Sequence, residues 1–62
     1  MDPERLHQVN KQQVEEIQNN GKGLSDWELN FIMSIKRQLE EGRNLSIKQM
    51  EILERIYEEK TP

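Results

Sequence analysis

Sixty-two residues at net charge −3, 34% charged and 32% apolar, make one small domain, and a chain of this size buries only about 60% of its unfolded surface. The absence of cysteine excludes disulfides and thiolate metal sites, so the remaining aid to a small core is another protein or a second copy of the chain. No apolar run approaches the ~18 residues of a membrane span, and Met1-Asp2-Pro3-Glu4 is too acidic for a secretory signal, so a soluble cytoplasmic protein without a membrane partner is expected.

Glycine and proline total only five residues, which favours helices over a turn-rich β sandwich. The first predicted helix covers about residues 3–19. Asp2 can cap its free N–H groups, and Pro3 loses nothing at the first helical position. Leu6, Val9, Val14 and Ile17 share an arc of about 140° on this helix. That stripe is sparse, so the segment is expected to be the weakest element. Asn19-Asn20-Gly21 is its stop signal. Residues 1–20 are accordingly an N-terminal amphipathic arm, and Gly21-Lys22-Gly23 is a flexible linker.

The core is expected over 24–60, which holds 15 of the 20 apolar residues. A phrase is written twice there, as Leu24-Ser25-Asp26-Trp27-Glu28-Leu29 and as Leu45-Ser46-Ile47-Lys48-Gln49-Met50. In each copy the serine can cap a helix while Glu28 or Gln49 returns a bond to the serine N–H, which is a capping box. Leu24 with Leu29, and Leu45 with Met50, are the matching hydrophobic staples. Two well-capped amphipathic helices can converge on such a pattern, a reading favoured over duplication of one unit because a single pair is a poor basis for a repeat. The predicted second helix runs over about 25–41 and stops at Gly42. Trp27, Phe31, Ile32, Ile35 and Leu39 share its wide face, with Leu29 and Met33 off it, so the helix needs cover on two sides. The third runs over about 46–60 with Ile47, Met50, Leu53, Ile56 and Tyr57 as its stripe. The fold class is therefore all-α: an antiparallel helical hairpin with an N-terminal helix, together a small three-helix domain.

Catalytic parts are missing from the sequence. His7 is the only histidine, no His/Cys/Asp cluster has metal spacing, and Gly21-Lys22-Gly23 lacks the strand and spacing of a phosphate loop. The pairs Glu15-Glu16, Glu40-Glu41 and Glu58-Glu59 are sequence neighbours, which diverge by about 100° on a helix. No enzyme activity, cofactor or metal is expected. The basic surplus lies around the second connection, in Lys36, Arg37, Arg43 and Lys48. It could touch a phosphate backbone, although Lys36 and Arg37 also complement the end of a helix. Glu51, Glu54, Glu58 and Glu59 would repel phosphate from the third helix, against its acting as a recognition helix. Trp27 and Phe31, one turn apart, are candidate anchors for a protein partner, with Leu29 and Met33 as further apolar contacts.

The string Trp27-x-x-x-Phe31-Ile32-x-Ser34-Ile35, then Gly42, then Leu45-Ser46-x-Lys48-Gln49-x-x-x-Leu53-x-x-Ile56-Tyr57 resembles the small protein and C-terminal module associated with the UvsW recombination helicase of T-even-like phages. The resemblance covers roughly residues 24–60 and transfers no catalytic residue. It implies a phage-encoded, non-catalytic accessory of DNA recombination, repair or replication in the host cytoplasm. Three functions are then open: a protein-interaction module, self-associating or docked through Trp27 and Phe31; a direct single-stranded or duplex nucleic-acid binder using the basic connection; and an acidic inhibitor of a host or defence protein.

Overall fold

The chain folds as three helices, each beginning where a side chain takes up its free N–H groups. The computed structural model describes residues 2–62, so the first residue of the expected arm lies outside it. Helix α1 spans Pro3–Asn20, α2 Asp26–Glu40 and α3 Ile47–Lys60. Asp2 Oδ1 accepts from the Arg5 N–H at 2.9 Å. At α2, Ser25 Oγ accepts from Glu28 N at 3.1 Å while Glu28 Oε1 accepts from Ser25 N at 2.8 Å. At α3, Ser46 and Gln49 repeat both bonds at 3.1 and 2.8 Å. These satisfy donors that a helix start leaves unpaired.

The end of α2 is equally local. Gly42 has φ 82°, in the left-handed region. Its N–H bonds the Leu39 carbonyl at 3.0 Å, and Arg43 N bonds the Gln38 carbonyl at 3.1 Å. This is the Schellman arrangement, in which glycine avoids the Cβ penalty. Helix α1 ends differently. Gly21 is extended at φ −69°, so the left-handed stop expected for Asn19-Asn20-Gly21 is absent. Glycine is still needed there, because a Cβ would run into the Ile17 carbonyl.

The helices form an up-down-up bundle. Gln38 meets Gln49, and Glu28 meets Lys60, so α2 and α3 are antiparallel. The Lys22 N–H bonds the Lys60 carbonyl at 2.9 Å, which places the end of α1 beside the end of α3 and makes those two parallel. The hairpin is thus present, but α1 is its filling. Val14 and Ile17 are 2% and 0% exposed and cluster with Ile32, Ile35, Leu39, Leu45, Leu53 and Ile56. Helix α1 packs most closely on α3, then on α2, and the α2–α3 pair is the sparsest. The expected weakest helix therefore supplies the middle of the core. Two buried residues of its stripe, Val14 and Ile17, suffice because the rest of the chain brings six more to the same cluster. The linker also differs from expectation: its middle residue is bonded across to α3.

Among the described residues, one polar side chain is inside. Asn10 is 3% exposed, and its Nδ2 has no hydrogen-bond partner. On α1 it lies between Leu6 and Val14, in the centre of the apolar arc.

Candidate interaction surface

What the core leaves outside is concentrated on α2. Ile32, Ile35 and Leu39 define its buried direction. At 100° per residue, Trp27 and Phe31 lie about 70–115° to one side of that direction, and Leu29 and Met33 about 90–125° to the other. The four residues expected to bind a partner are therefore two strips separated by a polar ridge of Asn30, Ser34 and Arg37.

The strips border different seams. Gln38 shares the Trp27 side, and its Nε2 and Oε1 face Gln49 of α3, so Trp27 and Phe31 flank the α2–α3 seam. Met33 and Lys36 line a shallow depression with Gln18 of α1, so the Leu29/Met33 strip flanks the α1–α2 seam. Leu29 and Met33 are 45% and 64% exposed.

The aromatic strip is the more organised. Trp27 is 61% exposed, and its ring lies over Phe31 with centroids 5.4 Å apart and planes 8° from parallel. Phe31 is half-buried and packs against the core cluster, as does Ile52 of α3. Phe31 thus anchors a stack whose outer ring is free. Such a stack contributes about 0.5–1.5 kcal/mol beyond area burial, which restricts the Trp27 ring before any partner arrives. The cap beside it shapes the local electrostatics. The Ser25 backbone N–H holds the Glu28 carboxyl below its ordinary value against the opposing effect of desolvation, with the Ser25 hydroxyl and then the Lys60 ammonium adding to the lowering. Lys60 Nζ stands 3.9 Å from Glu28 Oε1.

Of the four basic candidates, Lys36 and Arg37 border one shallow depression with Glu40, and Arg43 and Lys48 are not part of it. Lys36 faces the α1–α2 groove, which also holds Lys11, Glu15 and Glu40 over a floor of Val14 and Leu39. Arg37, about 100° around the helix on the exposed ridge, meets Lys36 at the rim of the depression lined by Gln18, Met33 and Ser34. Arg43 pairs with Glu41 at 2.9 Å, both exposed. Lys48 is exposed in the first turn of α3. Two acidic residues, Glu40 and Glu41, are interleaved with them in the sequence, and no aromatic lies among them.

Two features escaped the sequence. Ile47, expected in the α3 stripe, is 74% exposed. It is the first residue of α3 and lies at the edge of the apolar arc. Asn10 was legible in principle, since its position falls within the Leu6–Val14–Ile17 arc. His7 is half-buried near the start of α1 and lines a shallow recess with Pro3, Glu4, Gly42 and Asn44. Among the described residues no group of three or more His, Cys, Asp or Glu could hold a metal, and no helix is long and apolar enough to cross a membrane. No protein-family model, curated protein or solved structure matches this chain.

Proposed function

We propose that this chain is a non-enzymatic helical interaction module that binds a protein partner through the Trp27–Phe31 strip on the α2–α3 seam. The observation that carries this is a tryptophan held 61% exposed by a parallel stack on an anchored phenylalanine. Exposing a large aromatic forfeits burial worth roughly 1.5–3 kcal/mol, and tryptophan is enriched among residues that dominate interfaces. The dispersed carboxylates and the open, shallow depressions support the non-enzymatic part. The setting, a phage-encoded accessory of DNA recombination, repair or replication in the host cytoplasm, rests on the resemblance of residues 24–60 alone.

The experiment is affinity capture on the wild-type chain and on Trp27→Ala, with cross-linking to map the contact. A protein retained by the wild type, lost by the variant and cross-linked along the seam supports the proposal. Equal retention by a variant of unchanged helicity sinks it.

A further inference from the structure

The bundle is electrically polarised along its length, and the aromatic strip lies at the negative end. The Lys22–Lys60 bond and the Glu28–Lys60 pair bring the end of α1, the start of α2 and the end of α3 together. The half formed by residues 15–34 and 54–62 carries seven acids against three bases, net −4. The other half carries five acids against six bases, net +1, and the two halves account for the chain's −3. Two helix C-termini point to the acidic end and one N-terminus, adding roughly −0.5 charge. The bundle is 31 Å long, while screening sets in over ~10 Å at 0.1 M salt, so an approaching charge senses one end and not the average.

Trp27 opens α2 at this end. The antiparallel register set by Gln38–Gln49 and Glu28–Lys60 places Glu59 across the seam from Trp27 and Phe31, and Asp26 precedes Trp27 directly. Neither Asp26 nor Glu59 takes part in an ion pair among the described residues. Of the two α3 bases at this end, Lys60 is engaged with Glu28 and Arg55 lies one turn before Glu59. An open indole face with Asp26 about 100° around α2 on one side and Glu59 across the seam on the other is suited to a guanidinium or ammonium group, attracted by the ring quadrupole and by the negative charge of this end.

The size of the strip argues for a short segment. With 61% of its side chain outside, Trp27 offers about 150 Å² of the roughly 250 Å² that a tryptophan can bury. A stable dimer needs about 800 Å² per partner. One aromatic platform of that size is enough to anchor one cationic side chain, whereas a second copy would bring its own net-negative end against this one.

We infer that the occupant of the Trp27–Phe31 strip is an arginine- or lysine-rich protein segment, one of whose cationic side chains stacks on the outer face of Trp27 between Asp26 and Glu59. This rests on the interaction-module reading and names its partner's chemistry. A nucleic acid is disfavoured there because its phosphates would meet the negative end.

The test titrates the isotope-labelled full chain with a capped peptide of alternating arginine and alanine, using the glutamate–alanine peptide as control. Amide shifts and the emission of the single tryptophan are the readouts. The expected result is saturable one-to-one binding of the arginine peptide alone, with shifts at Asp26, Trp27, Phe31 and Glu59. Trp27→Ala weakens it about 5- to 30-fold and Trp27→Phe recovers part of the loss. Asp26→Asn with Glu59→Gln weakens it about 3- to 10-fold, whereas Glu4→Gln with Glu51→Gln, at the other end, leaves it unchanged. Binding that ignores the Trp27 and Asp26/Glu59 changes, or shifts spread over every acidic residue, overturns the inference. So does concentration-dependent self-association that Trp27→Ala abolishes, which would make a second copy the occupant. A captured partner that docks on Trp27 through a neutral or acidic segment overturns the charge assignment and leaves the module reading standing. Capture that does not depend on Trp27 removes both.

Discussion

Asn10→Leu is expected to stabilise this protein. The side chain is 3% exposed, and its Nδ2 has no partner. An unpaired buried amide costs about 1–3 kcal/mol. Leucine removes that penalty and adds an apolar side chain beside Leu6, Val14 and Ile17, the burial being worth up to roughly 1.5–3 kcal/mol. Against this stands overpacking, typically about 1–3 kcal/mol where the core cannot adjust. Asn10 is on α1 two turns from the start of the helix and about three from the linker, so the strain can be relieved toward that end and a net gain of about 1–2 kcal/mol is expected. In a domain of this size 1 kcal/mol moves Tm by roughly 4–8 °C. Far-UV circular dichroism during thermal and urea unfolding reads it, with an unchanged urea slope showing that stability alone has moved. Asn10→Ala separates the terms, because it removes the unpaired donor and leaves a space, and it should be within about 1 kcal/mol of wild type. If both variants lose more than about 1 kcal/mol, the amide is held by a partner in solution and the argument fails.

Other positions follow from the same geometry. Trp27→Ala should cost about 0.5–2 kcal/mol in urea unfolding, chiefly the lost stack on Phe31, while abolishing capture, whereas Ile17→Ala, at 0% exposure, should cost about 2–5 kcal/mol and leave the chain largely unfolded at room temperature. Gly21→Ala should destabilise by more than the ~0.4–1 kcal/mol that a glycine replacement ordinarily gains, since its Cβ meets the Ile17 carbonyl; an unchanged midpoint would show that the α1 end can relax. Gln49→Glu keeps the capping bonds but loses the Nε2 donor to Gln38, so α3 should keep its start while the hairpin loosens by about 1 kcal/mol. Glu28 gives the pH dependence. Its folded pKa is lowered from an ordinary 4.5, chiefly by the Ser25 backbone N–H, so its contribution is present above about 4.5 and is lost as pH falls through the folded value. Glu28→Gln should flatten that part of the acid limb, and a limb identical to wild type would remove Glu28 as its cause.

Helix starts were legible because their causes are local. Asp2, Ser25 with Glu28, and Ser46 with Gln49 need only a neighbour three residues away, and each makes its bond. The α2 stop was legible for the same reason, through the Gly42 φ of 82°. The role of α1 was not. Its stripe is as sparse as it reads, but the weight of a stripe depends on what faces it, and periodicity on one helix carries no information about its neighbours. Treating 24–60 as a core by itself left Asn10 unnoticed, although it lies on the arc of Val14 and Ile17. Gln49 shows a subtler gap. Its capping role is local, but the choice of amide over carboxylate follows from Gln38, eleven residues away, which both gives and takes a hydrogen bond across the seam.

The same reasoning redraws the surplus of apolar residues on α2. A helix apolar over more than half its surface needs two neighbours, and α1 and α3 are those neighbours, so most of the surplus is spent inside the chain. The remainder does not form one face. Leu29 and Met33 border the α1 seam, where scattered exposure of single apolar residues is ordinary. Trp27 differs because another aromatic fixes its ring, because it borders the α2–α3 seam that α1 leaves sparsest, and because that end of the bundle is acidic. Local opening follows the least-packed boundary. Hydrogen exchange should therefore show Trp27, Phe31 and Glu59 amides opening more readily than Val14 or Leu53, and a bound arginine peptide should slow exchange at that seam first. Uniform protection across all three seams, or slowing confined to the α1–α2 groove at Lys11 and Lys36, would mean that the partner's entry lies elsewhere.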